Sequence, residues 1–300
     1  MERLSSIKKN RALNKNRIER KNAILYALLF LTKKETRTDG GKLLHTIWAY
    51  FFMPQILTKY HIKPRPVVRV DHELDKKVPF QPHHVDIYLS LTNLWIKSLA
   101  FLYREFGKAS LPYIADFFKK LASLYKKSAK VYLQVQSTTN RPRYLCSINF
   151  KVIHLLDPHL HCIPSLHVCI VGLTYSRISA LIRELAEDPS FYQQEIDYLW
   201  ARTVLITDSI LFIKQHSVNC VSAGLFTLCS ANYDFSEAHA HKVIDALFTG
   251  EGNTLEAGDE LRTYIRKLYM QFMEENKTKP SSQVLVDFLK NYPPSATSEK

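Results

Sequence analysis

The sequence predicts an all-α protein, and three features of its composition and pattern lead to this expectation. Its 300 residues include only eight glycines and thirteen scattered prolines. Few stretches show the β-branched alternation that is typical of half-buried strands. The hydrophobic fraction of 46% is enough for a buried core in one large domain or two small ones. We therefore expect a helical bundle.

The N-terminal region, 1–82, is predicted to contain a basic arm, short apolar helices and a linker. The segment 37–42, Arg-Thr-Asp-Gly-Gly-Lys, is typical of a loop between two short helices. From Pro64 to Pro82 prolines punctuate the chain, and because proline removes helical donors and disfavours helix before it, we expect an extended linker there. The linker is predicted to separate this region from the main body.

The main bundle is predicted to occupy 83–232. Five long segments with mixed apolar and charged faces favour helices at 84–105, 110–133, 164–187, 190–213 and 216–231. A smaller C-terminal helical extension with a disordered tail is predicted for 233–300. There Ser236 is a plausible N-cap for a helix ending before Gly250. A helically spaced apolar stripe predicts core packing in the next helix and comprises Leu261, Ile265, Leu268, Tyr269, Phe272 and Met273. A last helix is expected at 282–290, with the tail from Pro293.

The charge is strongly basic and unevenly distributed. The formal net charge is +13, and residues 1–22 hold eight lysines and arginines against two glutamates. Such an arm fits an anionic membrane surface, nucleic acid or simply solvent. No specific nucleic-acid partner is expected, because the arm lacks interleaved aromatic residues and no recognised nucleic-acid module is present.

The cysteines and the apolar runs bear on cellular location. Five cysteines, an odd number in mostly apolar surroundings, predict reduced thiols rather than a disulfide framework. Charged or proline residues interrupt each long apolar run, whereas a spanning helix needs about 20 largely apolar residues. We expect a cytoplasmic protein or one associated with the cytoplasmic side of a membrane. Charged residues can line a site inside a membrane bundle, so an integral arrangement stays open.

Two polar segments carry the candidate chemistry. The first includes Pro164-Ser165-Leu166-His167. Pro164 is suited to opening a helix, whose unpaired N–H groups and the Ser165 hydroxyl could cradle a phosphate within reach of His167. In the alternative interpretation Ser165 only caps the helix, and His167 is an ordinary core or surface histidine without a ligand.

The second segment places Ser209 seven residues before His216, so that both would share one face of a continuous helix. A nucleophilic histidine usually needs a carboxylate to hold its ring, and Cys220 stands where such a helix would place it. Lys214 could reach a phosphate, although a lysine on such a face more often extends to solvent. Asp208 is a weak candidate for the missing acid, because a helix rotates it away from Ser209.

Together these segments resemble the phosphatidic acid phosphatase type 2/vanadium haloperoxidase superfamily. Its three ordered motifs are roughly Lys-x6-Arg-Pro, Pro-Ser-x-His and Ser-Arg-x5-His-x3-Asp. Arg141-Pro142 matches the end of the first motif, residues 164–167 match the second, and Ser209 with His216 matches the spacing of the third. The Lys-Gln-His at 214–216 is similar to an inositolphosphotransferase-like branch that acts on lipid headgroups. The resemblance covers about 85–230.

The resemblance implies a helical bundle of the phosphatidic acid phosphatase type 2/chloroperoxidase kind that holds one phosphate. His216 would be the nucleophile and His167 the general acid, while Arg141 would stabilise charge on the phosphoryl oxygens. The remaining phosphate ligands would be Ser165, Ser209 and Lys214. The mechanism needs no metal or cofactor. The expected partner is a phosphate-bearing lipid or small molecule, and residues 1–22 could add contact with an anionic membrane surface.

The sequence departs from these motifs at three charged positions. Gln134, Ile210 and Cys220 stand where the family has lysine, arginine and aspartate. Loss of an orienting carboxylate lowers the rate of serine proteases by about 10⁴. Two functions therefore stay open: a phosphatase or phosphotransferase of reduced activity, or a non-catalytic descendant that binds phosphate or lipid headgroups. A His216 ring nitrogen without a partner would favour the second.

A third interpretation treats the histidines and cysteines between 154 and 169 as metal ligands, since imidazole and thiolate suit zinc. The residues are His154, His159, His161, Cys162, His167 and Cys169. Their spacing fits no common zinc pattern, and we expect helix geometry to scatter them.

Overall fold

The computed structural model describes residues 16–293. Most of the predicted basic arm and the predicted disordered tail after Pro293 lie outside the described residues. The helices are α1 (Ala23–Thr32), α2 (Arg37–Ile47), α3 (Met53–Lys59), α4 (Val85–Leu89), α5 (Leu91–Phe106), α6 (Leu111–Tyr132), α7 (Ile148–Leu156), α8 (Leu166–Leu185), α9 (Gln193–Phe212), α10 (Val218–Ala231), α11 (Glu237–Ala246), α12 (Gly258–Glu275) and α13 (Ser281–Lys290). A π-helical segment, Trp48–Phe52, joins α2 to α3. The all-α prediction is confirmed.

Helix α8 lies at the centre of the bundle and packs against α5, α9 and α10, while α10 packs against α12. The N-terminal helices are part of the same body, because α1 packs on α5 and α2 packs on α6. One hydrophobic cluster joins the three predicted regions and includes Phe30, Phe101 and Phe272. The N-terminal helices can therefore contribute to a site in the bundle.

The five long helices of the bundle are confirmed with small shifts at their ends. Ser90 interrupts the first of them, which becomes α4 and α5. Helix α7 was not predicted. It begins after Ser147, whose side chain accepts from the Asn149 N–H, so an ordinary N-cap was present in the sequence.

The predicted loop at 37–42 is wrong, because α2 begins at Arg37 and runs through both glycines. A Cβ at Gly40 would lie 3.0 Å from the Leu31 side chain and 3.5 Å from that of Phe118. Close packing of α2 on its neighbours thus offsets the low helix propensity of glycine.

The proline-rich segment from Pro64 to Pro82 is extended near its start, as predicted, and is paired there, but Glu73–Lys77 forms a 3-10 helix instead. Strand β1 (Val67–Arg69) lies parallel to β2 (Gln136–Thr138), with Val67 opposite Gln136. Ser137 forms a further bridge to His161. This small sheet ties the segment to the start of the loop that carries the candidate site.

The C-terminal predictions are confirmed in their main points. Ser236 caps α11 in a reciprocal capping box with His239. The apolar stripe of α12 packs into the core, and Leu261, Ile265 and Phe272 are buried. The extension therefore completes the bundle from the side of α10.

Candidate active site

A cavity of about 520 Å³ lies between the N-terminal helices and the bundle. Its lining is mostly aliphatic and aromatic and includes Phe30, Leu43, Trp95, Phe118 and Leu121. The polar lining residues come mainly from the loop 157–162 and from the two predicted motifs: Asp157, His159, His161, Cys162, His167 and His216, together with Gln55, Tyr88 and Thr92. The cavity thus has a long apolar wall and a cluster of titratable side chains.

His167 and His216 meet at this cavity, as the sequence predicted for the two motifs. Their rings are edge to face with centroids 5.6 Å apart. His167 lies in the first turn of α8 and stacks on Tyr88 at a centroid distance of 4.1 Å. His216 comes from the turn between α9 and α10. The stacking partner Tyr88 was missed because nothing near it in the sequence resembles a motif.

The close approach of α8 and α10 brings the two histidines together. A Cβ at Gly224 would lie 2.8 Å from the Val168 Cβ and 3.0 Å from the Ser165 carbonyl oxygen. Glycine is therefore required at this position for the backbones to come so near. Cys169 adds a contact from its thiol to the Gly224 carbonyl at 3.2 Å.

Ser165 is the N-cap residue of α8, as the local sequence predicts, but its side chain makes no capping bond. The hydroxyl is fully buried and has no hydrogen-bond partner among the described residues. An unsatisfied buried hydroxyl costs about 1–3 kcal/mol. Ser165 is not among the residues that line the cavity, whereas the next two residues, Leu166 and His167, are.

Arg141 is held one contact away from the cavity. Its guanidinium donates to the Gln215 side-chain oxygen at 3.2 Å and to the Asp157 carbonyl at 2.9 Å, and it lies 3.8 Å from the Asp157 carboxylate. The His159 backbone N–H donates a hydrogen bond to that carboxylate at 2.9 Å. The predicted phosphate cation is thus already paired with an acid, and sequence reasoning missed this acid as part of the site.

The structure does not bring Ser209 and Lys214 to the cavity. Helix α9 ends at Phe212, and the chain turns at Lys214 with a positive φ of 57°. The expected continuous helix face from Ser209 to His216 is therefore wrong. The Ser209 hydroxyl donates to the Ile206 carbonyl at 2.8 Å, and the Lys214 ammonium binds the carbonyls of Asp75 and Val78.

Cys220, at the position of the motif's aspartate, and Asp208, the weak candidate for the missing acid, are both engaged elsewhere. Cys220 lies in the first turn of α10, where its sulfur accepts from the Ser217 N–H at 3.4 Å in a capping box. Asp208 accepts from the Phe248 N–H and the Asn253 side chain. Nδ1 of His216 is buried and has no hydrogen-bond partner among residues 16–293.

Burial governs the protonation of the histidine pair. It lowers the pKa of His167 to about 4, although Asp157 acts in the opposite direction. Burial also lowers the pKa of His216 well below its ordinary value, and nearby His167 and His159 lower it further. Burial alone would raise the pKa of Asp157, but His159 and Arg141 outweigh it and lower that pKa to about 2. At neutral pH both imidazoles of the pair are therefore neutral, and the Asp157 carboxylate in the same cavity is ionised.

The metal-ligand interpretation fails on geometry. No group of three or more histidine, cysteine or acidic side chains within residues 16–293 could hold a metal ion. His161 instead stacks on Tyr132 at 4.0 Å, and the His159 ring contacts the Thr139 hydroxyl at 2.7 Å. All five cysteines are free.

Comparison with known proteins gives no further assignment. No family model matches the chain, and neither a curated protein nor a solved structure matches it. In the described part of the chain no helix has both the length and the apolar composition needed to cross a bilayer.

Proposed function

We propose that this chain is a phosphatase or phosphotransferase of the phosphatidic acid phosphatase type 2 kind, acting on a lipid phosphate or another phosphomonoester with an apolar tail. One observation carries the proposal: His167 and His216, predicted from two separate motifs, line the same apolar cavity. The cavity volume of about 520 Å³ is in the range of ligand sites. An apolar tail would lie along the wall, with its phosphate at the histidines.

The protonation of the pair supports nucleophilic attack by His216. A neutral imidazole has the free lone pair that attack on phosphorus needs, and burial keeps His216 neutral. In the proposed first step a P–N bond forms to His216 while the P–O ester bond breaks. The leaving oxygen takes a proton from His167.

In the second step water attacks the phosphohistidine and gives a proton to His167, and inorganic phosphate leaves as the P–N bond breaks. If an alcohol attacks in place of water, it also gives its proton to His167, and the phosphoryl group is transferred to the alcohol as the P–N bond breaks. The dianionic substrate would raise the pKa of His167 from about 4, since a nearby negative charge favours the imidazolium. Because the charge of one histidine disfavours the charge of the other, at most one of the two is an imidazolium at a time, and in the first step this is His167.

Binding of the phosphate is proposed to use three groups. The first turn of α8, whose Leu166 and His167 line the cavity, would present backbone N–H groups. The buried and unpartnered Ser165 hydroxyl lies outside the cavity lining and would have to turn toward the ligand to add a donor. Arg141 would supply positive charge once a phosphate competes with Asp157 for its guanidinium. Ser209 and Lys214 have no part in this arrangement.

The second candidate function is phosphate or headgroup binding without turnover. Nδ1 of His216 favours it, because this nitrogen has no partner among residues 16–293 and the ring's hydrogen bond to the Cys162 backbone does not supply an orienting carboxylate. The pairing of Arg141 with Asp157 also favours it, since that cation is not free in the empty site.

A turnover assay separates the two. Phosphate release is measured on a panel of alkyl and lipid phosphomonoesters with wild type, His216→Ala, His167→Ala and the exposed-histidine control His45→Ala. If the proposal holds, wild type and His45→Ala release phosphate, whereas His216→Ala and His167→Ala do not. Labelled phosphate should be trapped on wild type and not on His216→Ala. Release by His216→Ala equal to wild type would exclude the histidine nucleophile. Binding by wild type with no release on any substrate would favour the second candidate.

A further inference from the structure

We propose that this chain docks on the surface of an anionic lipid bilayer through the apolar rim of its cavity. The docking rim is defined here as the outer faces of α1 and α7 together with Leu44 and Trp48. That the cavity takes its ligand from the bilayer rests on the function proposed above, whereas the docking itself does not.

The rim is formed by large apolar side chains that face outward on two helices. On α1, Ile24, Leu25 and Leu28 are 75%, 59% and 60% exposed. The outer stripe of α7 has helical spacing and comprises Ile148, Val152 and Leu155, which are 71%, 40% and 76% exposed. Contiguous apolar surface of this kind marks an interaction site rather than ordinary surface.

The rim is continuous with the cavity. Leu31, Leu44, Leu89 and Val152 line the cavity and are also exposed at its mouth. An acyl chain could therefore pass from the rim into the cavity without crossing polar surface. This continuity distinguishes the rim from other exposed apolar residues such as Met270, which does not line the cavity.

The charge around the rim matches an anionic bilayer. The segment 16–63 holds nine lysines and arginines against three acids. Lys34, Arg37 and Lys42 are exposed directly after α1. Juxtaposed apolar and basic faces are typical of helices that lie in the membrane interface, and each surface cation adds about 1 kcal/mol of attraction to anionic lipid. A second copy of the chain is disfavoured as occupant, since it would bring two strongly basic surfaces together.

The geometry indicates a helix that lies on the membrane. Helix α1 has ten residues, which is too few to span a bilayer. Trp48, 52% exposed, adds an amphipathic ring of the type enriched at the interface. The proposed depth is therefore that of the headgroups and the upper acyl chains.

Vesicle sedimentation tests the docking. The vesicles are phosphatidylcholine with or without phosphatidylglycerol, whose phosphodiester headgroups keep the assay independent of phosphomonoester chemistry. The variants are Leu28→Glu on α1 and Leu155→Glu on α7, with Met270→Glu as an exposed control that introduces the same charge. All three positions are at least half exposed, so the fold should persist, and circular dichroism checks this.

We expect wild type to sediment with the anionic vesicles and more weakly with phosphatidylcholine alone. Each rim variant should lower the partition coefficient about tenfold or more, because a buried leucine contact is replaced by a charge. Met270→Glu and His216→Ala should bind as wild type does, the latter even if phosphoryl transfer fails. Wild type that does not sediment, or rim variants that sediment equally well, would overturn the proposal. So would a wild-type dimer in light scattering that the rim variants convert to monomer.

Discussion

His167 and His216 face each other edge to face with ring centroids 5.6 Å apart, although they come from different helical segments. His167 lies in the first turn of α8, and His216 lies in the turn that precedes α10. Their contact depends on the approach of these two helices, and their chemistry depends on the burial that keeps both imidazoles neutral.

Gly224→Ala should separate the two histidines. The new Cβ would meet the Val168 Cβ at 2.8 Å and the Ser165 carbonyl at 3.0 Å, so α8 and α10 must move apart. We expect the free energy of unfolding to fall by about 1–3 kcal/mol. The affinity for an alkyl phosphate should fall by a larger fraction, because the two histidines that line the site move apart. Urea denaturation and calorimetric titration measure the two effects. Gly41→Ala is the control, because a Cβ at Gly41 meets nothing within 4 Å. Equal effects of the two substitutions would contradict the account.

Asp157→Asn should strengthen phosphate binding. Asp157 is ionised at neutral pH, and in the proposed site its carboxylate, 3.8 Å from Arg141, competes with a phosphate for that cation. Asparagine removes the competing charge, while the backbone carbonyl of residue 157 and Gln215 still accept from the guanidinium. We expect a several-fold lower Kd for an alkyl phosphate. Asp234→Asn is the control, since it removes the same charge from the exposed pair with Arg177. If Asp157→Asn weakens binding, the carboxylate supports the ligand site and does not compete with it.

Cys220→Asp should increase any phosphoryl-transfer rate. Position 220 is the third residue of α10 and already accepts from the Ser217 N–H, a position where acidic residues are common and favourable for the helix dipole. The new carboxylate would stand where the family motif has its aspartate. We expect faster phosphate release with lower thermal stability, because a charge is buried. Cys220→Ser, which accepts the same bond without charge, should not raise the rate. A Cys220→Asp protein that folds and releases phosphate no faster would count against a dormant catalytic site.

Asp208 should make stability pH-dependent without affecting the cavity. Burial raises its pKa to about 7, although Asn253 and the Phe248 N–H act in the opposite direction. The native state therefore binds this proton more tightly than the unfolded state, whose aspartate pKa is about 3.9. Its stabilising contribution is fully present below about pH 4 and is lost as pH rises through about 7. Asp208→Asn should remove this slope from denaturation curves measured across that range. An unchanged slope would contradict the assignment.

The sequence predicted the helical class and the pairing of two histidines, because apolar periodicity and short motifs are local signals. It predicted a helix end at 213, but the shared face of Ser209 and His216 assumed a helix that continues to 216, and the turn at Lys214 excludes this. Lys214 adopts the left-handed conformation usually taken by glycine, and a lysine in the sequence does not predict that conformation. The contributions of Tyr88 and Asp157 come from tertiary packing between distant segments. The loop prediction at 37–42 was wrong because it rested on the low helix propensity of glycine, whereas close packing at Gly40 against Leu31 and Phe118 stabilises the helix.

The central claim is that the apolar cavity and the histidine pair form one site for an amphiphilic phosphate. Calorimetric titration with alkyl phosphates of increasing chain length tests it most directly, with wild type and the His167→Ala/His216→Ala double variant. Each added methylene should lower the Kd of wild type about fourfold until the cavity is filled, since a buried methylene contributes about 0.8 kcal/mol. The double variant should keep the chain-length dependence but show a weaker preference for phosphate over a trimethylammonium headgroup, since His167 can no longer pair with the phosphate as an imidazolium while Arg141 and the first turn of α8 remain. Affinity that does not change with chain length, or a headgroup preference that the double substitution leaves unchanged, would contradict the claim.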